Sequence, residues 1–181
     1  MRLNLAIIIV TLCLIAPAFA IGSGLINGGF ESGAVNPGAR YVSLQPGSTS
    51  INGWVVGGHG IDYIGGLWQA SEGNRSLDLS ASSNGSIATT LNTVRGKHYR
   101  LLFDIAGNPD GKPQEKALRV WTEEKYQDFV FNTTGKTDRS MGWETKSLNF
   151  TATTYFTPLK FESLTTTAYG PALDNVRVIL A

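Results

Sequence analysis

Cysteine is nearly absent from this chain. Its 181 residues include one, Cys13, so a disulfide framework and every paired-cysteine metal or redox motif are excluded. Long apolar runs are also missing. Leu5 to Ile15 is largely apolar, but a membrane-spanning helix needs roughly 20 such residues, and no second run of spanning length follows. Met1 and Arg2, that short run, and then Ala18-Phe19-Ala20 instead supply the basic start, apolar centre and small-x-small cleavage site of a secretory signal peptide. Residues 1–20 are read as that signal, and residues 21–181 as one exported domain, secreted or associated with the cell surface. No charge of one sign dominates. The 15 Lys and Arg are set against 14 Asp and Glu, without a basic stripe, which excludes electrostatic capture of nucleic acid or of an anionic membrane.

Catalytic signatures are missing too. The two histidines, His59 and His98, stand far apart, and HExxH, CxxC and GxSxG do not occur. A glycosidase carboxylate pair is arithmetically possible among the acids, but it is defined by a separation of roughly 5–9 Å that sequence does not reveal. No window carries a 3.6-residue apolar stripe, although Gln114 to Arg119 could pass for one helical turn.

Glycine is abundant, with 21 residues, and turn signals recur at short intervals. Asn27-Gly28, Asn52-Gly53 and Asn84-Gly85 each suit a turn that needs positive φ. Gly57-Gly58-His59-Gly60 reads as a hairpin connection or as a flexible loop at a site. Between these signals lie short segments that alternate with period two: Ser76 to Ser80, Ser86 to Leu91, Tyr99 to Ile105, Ala117 to Trp121, Asp128 to Asn132, Thr145 to Thr151, Thr157 to Ser163, and Val176 to Leu180. About ten short strands without helices predict an all-β fold, an antiparallel β-sandwich, because a parallel sheet would need helical crossovers. A domain of this length buries enough surface to stand without disulfides.

The two ends of the mature chain carry the most specific pattern. Leu25-Ile26-Asn27-Gly28-Gly29-Phe30-Glu31 opens it, and Gly170-Pro171-Ala172-Leu173-Asp174-Asn175-Val176 closes it. Between them run Asn52-Gly53-Trp54-Val55-Val56, Ile61-Asp62-Tyr63-Ile64, Trp68, Gly73 to Ser80, Gly85-Ser86-Ile87 and Leu91 to Phe103. This succession, over residues 25–180, resembles the domain-of-unknown-function 642 family of plant cell-wall proteins and secreted prokaryotic relatives. The chain departs from the plant proteins in having one domain and no cysteine after the signal. The resemblance implies a galactose-binding-like jelly roll and contact with polysaccharide. It also implies a structural calcium ion at Glu31 and Asp174, the positions matching a carboxylate pair that holds calcium in many such modules. Calcium takes six to eight oxygens, so such an ion would pin the first strand to the last. The alternative is that both carboxylates accept backbone N–H groups.

Four tryptophans and six tyrosines are the natural sugar platforms, because pyranose C–H groups pack on aromatic faces while hydroxyls need planar polar partners. Trp54, between an Asn-Gly turn and Val55-Val56, reads as core, and Trp143 as packing under a loop. Trp68 sits on a Gly-rich loop, with Asp62 and Tyr63 just before it, and Trp121 ends a strand near charged residues. Asp62, Tyr63, Trp68 and Trp121 are therefore the candidate carbohydrate-binding residues. The leading expectation is a non-enzymatic, secreted module for an extracellular or cell-wall glycan. A structural or adhesive protein with cell-surface protein partners is the alternative, and a glycoside hydrolase ranks last.

Overall fold

The computed structural model describes residues 24–123 and 125–181, so the signal read in residues 1–20 lies outside it. Among the described residues are eleven strands: β1 (Tyr41–Leu44), β2 (Val55–Gly58), β3 (Ile61–Ile64), β4 (Ser76–Asp78), β5 (Gly85–Asn92), β6 (His98–Gly107), β7 (Glu115–Thr122), β8 (Lys125–Asn132), β9 (Glu144–Thr151), β10 (Phe156–Ser163) and β11 (Pro171–Leu180). No helix occurs among the described residues, and the Gln114–Arg119 stretch runs into β7. The strands pair antiparallel in two sheets, ordered β1-β3-β4-β11-β6-β9 and β2-β5-β10-β7-β8.

Period-two patterning explains how the sheets face one another. Leu118 and Val120 of β7 and Leu159 and Phe161 of β10 are fully buried, while their strand neighbours Arg119, Trp121, Lys160 and Glu162 reach solvent. From the six-stranded sheet, Leu101, Phe103 and Ile105 alternate inward in the same way. Phe103 meets Phe129 and Phe161 edge-on, with ring centroids 5.1 and 5.3 Å apart. Trp54 extends this packing between Phe161 and Phe30, as its sequence position suggested. Burying one such side chain contributes roughly 1.5–3 kcal/mol, and its indole N–H is satisfied by the Asn27 carbonyl at 3.0 Å.

The opening and closing motifs touch. Val176 N–H donates to the Gly28 carbonyl at 2.9 Å, and any side chain at position 28 would strike the Val176 carbonyl. Asn27 and Gly53 adopt the positive φ expected of their turns, at 57° and 83°. Asn84-Gly85 does not. There Gly85 opens β5 because the Gly60 carbonyl leaves no room for a Cβ. The Gly57–Gly60 stretch also differs from a hairpin turn: it carries the chain from β2 in one sheet to β3 in the other.

Candidate functional site

Part of the outer face of the six-stranded sheet is covered, while its outward residues Arg100, Ser147, Asn149, Arg177 and Ile179 are exposed. Register places Tyr63, Leu77, Leu173 and Ile105 in one row, on the same side as Phe103 and hence facing the core. The alternate positions Asp62, Asp78, Asp104 and Asp174 therefore point away from the core, yet all four are buried. Loops lie over them. Asp174 accepts the backbone N–H groups of Ser71 (2.8 Å), Glu72 (2.9 Å) and Asn175 (2.6 Å). Asp78 accepts those of Ser80 and Gly170, both at 3.0 Å, and the Asn108 side-chain amide at 2.9 Å. Burial pushes the Asp78 carboxyl up to about 8 and that of Asp174 to about 7. Asp104 behaves oppositely. Burial raises it, but donors from Ser71, Thr145 and Asn175 outweigh that cost and hold it below the usual carboxylate range.

Four of the six sequence-selected residues belong to this covered side or to the core beneath it. Tyr63 is 1% exposed, and its hydroxyl donates to the Phe30 carbonyl at 2.5 Å, so its ring is core rather than platform. Asp62 is bonded by the Ser43 hydroxyl at 2.5 Å, and burial raises its pKa. Trp68 is 5% exposed, and its indole N–H donates to the Ser76 hydroxyl at 2.8 Å. The glycine-rich loop folds down and uses that tryptophan as its plug; Trp143 secures the same loop through the Gln69 carbonyl at 2.8 Å. A hollow of about 610 Å³ remains above it, lined by Gly65, Gly66, Trp68, Gln69, Ser71 and Arg75 among others.

Glu31 and Asp174, the pair expected to hold calcium, bind the same loop. They grip one loop at separate points, Glu31 taking the N–H groups of Asn74 and Arg75, both at 2.8 Å, while Asp174 takes those of Ser71 and Glu72. Donor hydrogens thus point at Glu31 Oε1 and at both Asp174 oxygens. Among the described residues, no group of three or more acidic, histidine or cysteine side chains is placed to hold a metal. Both carboxylates accept backbone N–H groups of that loop.

The outer face of the five-stranded sheet is bare. Register places Val55, Ala88, Lys160, Trp121 and Tyr126 in one transverse row across β2, β5, β10, β7 and β8, with Ser86, Glu162, Arg119 and Asp128 in the next. Trp121 is half-buried at the middle of a cluster. Its indole N–H donates to Glu162 Oε2 at 2.8 Å, Lys160 Nζ lies 5.0 Å from its ring, and the Tyr126 ring is tilted against it at 4.8 Å. Arg119 covers the Tyr126 ring at 4.0 Å and donates to Asp128 at 2.7 and 2.8 Å. Beside Trp121 is a depression of about 450 Å³ lined by Val55, Ala88, Thr90, Pro158 and Lys160 among others. Its ingredients are an oriented indole, an adjacent phenol ring and fixed planar hydrogen-bonding groups. Of the expected platform residues, Trp121 alone belongs to it. Tyr126, Arg119, Asp128, Lys160 and Glu162 were not singled out from sequence; their alternation was visible, but not the register that gathers them.

Sheet order, the two-layer packing and the jointed ends define an antiparallel β-sandwich of the jelly-roll kind. A family model described as "Protein of unknown function (DUF642)" matches residues 23–179, and the chain belongs to that family. Halomucin of Haloquadratum walsbyi is 30% identical over 190 residues, covering 96% of this chain and 2% of that protein. The chain thus spans only a small part of that relative. Among solved structures, TmCBM61 in complex with β-1,4-galactotriose superposes with a TM-score of 0.59 at 14% identity, covering 88% of this chain and 99% of the module. A family 35 carbohydrate-binding module from Clostridium thermocellum gives 0.55 at 14% identity, over 78% and 98%. No helix among the described residues is long and apolar enough to cross a membrane.

Proposed function

We propose that this chain is a secreted carbohydrate-binding module, and that its glycan lies across the outer face of the five-stranded sheet with Trp121 as platform. The observation that carries this reading is the indole itself. It is large, accessible and held in orientation by Glu162, on a face that no loop covers. A pyranose ring packs on such a surface, and its hydroxyls find Glu162, Asp128, Arg119 and Lys160 at the rim. The jelly roll shared with carbohydrate-binding modules and the leader-like residues 1–20 support the same reading. They also support an extracellular or cell-wall setting. No bond-making step is assigned to this face, because its carboxylates are engaged: Glu162 by Trp121 and Lys160, Asp128 by Arg119, Glu123 by Thr153. A single site of this kind gives Kd values from ~1 mM to ~1 μM.

Retention of the protein on a panel of insoluble and soluble polysaccharides is the test. At least one polymer is expected to retain it, and Trp121→Ala to weaken that retention at least tenfold with little change in melting temperature. Retention untouched by Trp121→Ala would place the glycan elsewhere. A second reading, a surface protein with protein partners, draws on exposed Tyr155 and Phe156, at 65% and 66%, beside the same sheet. Silent polysaccharides with self-association or a captured surface protein would favour it.

A further inference from the structure

The charges of the candidate face are already matched within it. Arg119 lies along Asp128 with two bonds, of 2.7 and 2.8 Å. Lys160 Nζ lies 3.1 Å from Glu162 Oε2, the oxygen that also takes the Trp121 N–H. A third carboxylate, Glu123, borders the depression, fixed by Thr153 N–H at 2.9 Å and by the Thr153 hydroxyl at 2.8 Å. Among the described residues around Trp121, two cations therefore stand with three anions, and neither cation is left over. A carboxylate arriving on a sugar would meet cations already neutralised and settle beside Asp128 or Glu162, which is the repulsive element that rejects a partner. Neutral hydroxyls meet no such penalty, because paired carboxylates keep free lone pairs and both cations keep free N–H groups.

Shape adds the second half of the argument. The row from Val55 through Trp121 to Tyr126 crosses five strands, roughly 19 Å at the ~4.8 Å spacing of neighbouring strands. Val55 and Tyr126, its two ends, are 48% and 54% exposed, so the row runs out to solvent at both ends. A track of this length and openness suits a stretch within a chain rather than a chain end. Building on the glycan reading above, we infer that the site takes an internal segment of a neutral polysaccharide and discriminates against polyuronates.

The experiment compares the protein on neutral polymers (xylan, β-1,4-galactan, mixed-linkage glucan) with polygalacturonate and alginate at low and physiological salt. It adds oligosaccharides of the retained polymer, from two to six units. At least tenfold weaker binding of both polyuronates is expected, together with at least tenfold gain from two to five units. The double variant D128N/E162Q leaves Arg119 and Lys160 without anionic partners, while the amide oxygen at 162 still accepts the indole N–H. It is expected to gain polygalacturonate retention at least tenfold at low salt and lose it at high salt. Wild-type protein that binds polygalacturonate as tightly as any neutral polymer overturns the inference, and so does affinity complete with two units. If the double variant does not fold, the wild-type ranking and length series still decide. Failure to bind any polymer, neutral or acidic, by protein with a normal melting transition would instead sink the glycan reading itself.

Discussion

The two outer faces of this sandwich receive opposite treatment. Over part of the six-stranded sheet, four aspartates are buried, three of them bonded by loop residues, and their oxygens are taken up mainly by backbone amides and neutral side chains, with Arg177 4.0 Å from Asp104. Beyond the five-stranded sheet, acids stay at the surface, paired with Arg119 and Lys160 around an accessible indole. Both faces carry polar residues at alternate strand positions, so hydropathy alone does not separate them. The difference lies in what crosses them. The loop of residues 65–75 closes one face and turns its carboxylates into fasteners for loop backbone. No described loop crosses the other, and its side chains remain available to a ligand.

Exchanging losses between the faces tests this contrast. The largest effect is expected from Trp68→Ala. Removing a buried tryptophan that plugs the covering loop should cost ~3–5 kcal/mol, read by denaturant unfolding, while the folded fraction binds glycan as before. Trp121→Ala should do the reverse. Lost glycan retention with Trp68→Ala in protein that is still folded would join the two faces into one site and break the comparison.

Asp174→Ala comes next. It strips the acceptor from three backbone donors, and its cost should be about 1–3 kcal/mol, measured the same way. Chelator should leave the wild-type melt unmoved, because backbone N–H groups occupy both Asp174 oxygens; a chelator-induced drop in melting temperature would place calcium at the Glu31–Asp174 pair.

A separate lever on the covered carboxylates is pH. Asp78 and Asp174 titrate near 8 and 7 in the folded protein, against about 3.9 unfolded. Between those values the native state holds more protons than the unfolded chain, so stability falls as pH rises from about 4 to about 8 and levels off above. Asp104, held low, acts the other way, losing its contribution only as pH falls below about 4. At about 1.4 kcal/mol per pH unit for each group, thermal melts should therefore be lower at pH 8 than at pH 5 by on the order of ten degrees or more, and Asp78→Asn should flatten that slope. A melting temperature that rises over this window would show that these carboxylates are ionised and stabilising.

Much of the fold was legible because period-two alternation is local. Leu101-Phe103-Ile105 and Leu159-Phe161 announce their inward faces within five residues of chain. The end motifs were legible as well, since Asn27 and the Asp174-Asn175-Val176 run occupy turn and strand positions whose backbone demands show in residue type. The site was less so. Tyr63 alternates like a core residue and is one. Trp68 reads as a loop aromatic, yet it is buried because its loop folds back onto Ser76, a contact eight residues away that no local pattern encodes. Trp121 was visible as a strand-end aromatic beside charge, but its partners Lys160 and Tyr126 reach it through pairings of β7 with β10 and β8.

By itself, the sequence determined strand-sized segments, the two-layer all-β class and the family pattern, because backbone preference and alternation act over a few residues. Tertiary structure alone decided which polar face would be roofed and which left open, since that depends on where loops land and how strands register. A one-residue slip in pairing would turn Trp121 into the core. Accessibility, and with it the candidate function, is settled by those long-range contacts rather than by residue type.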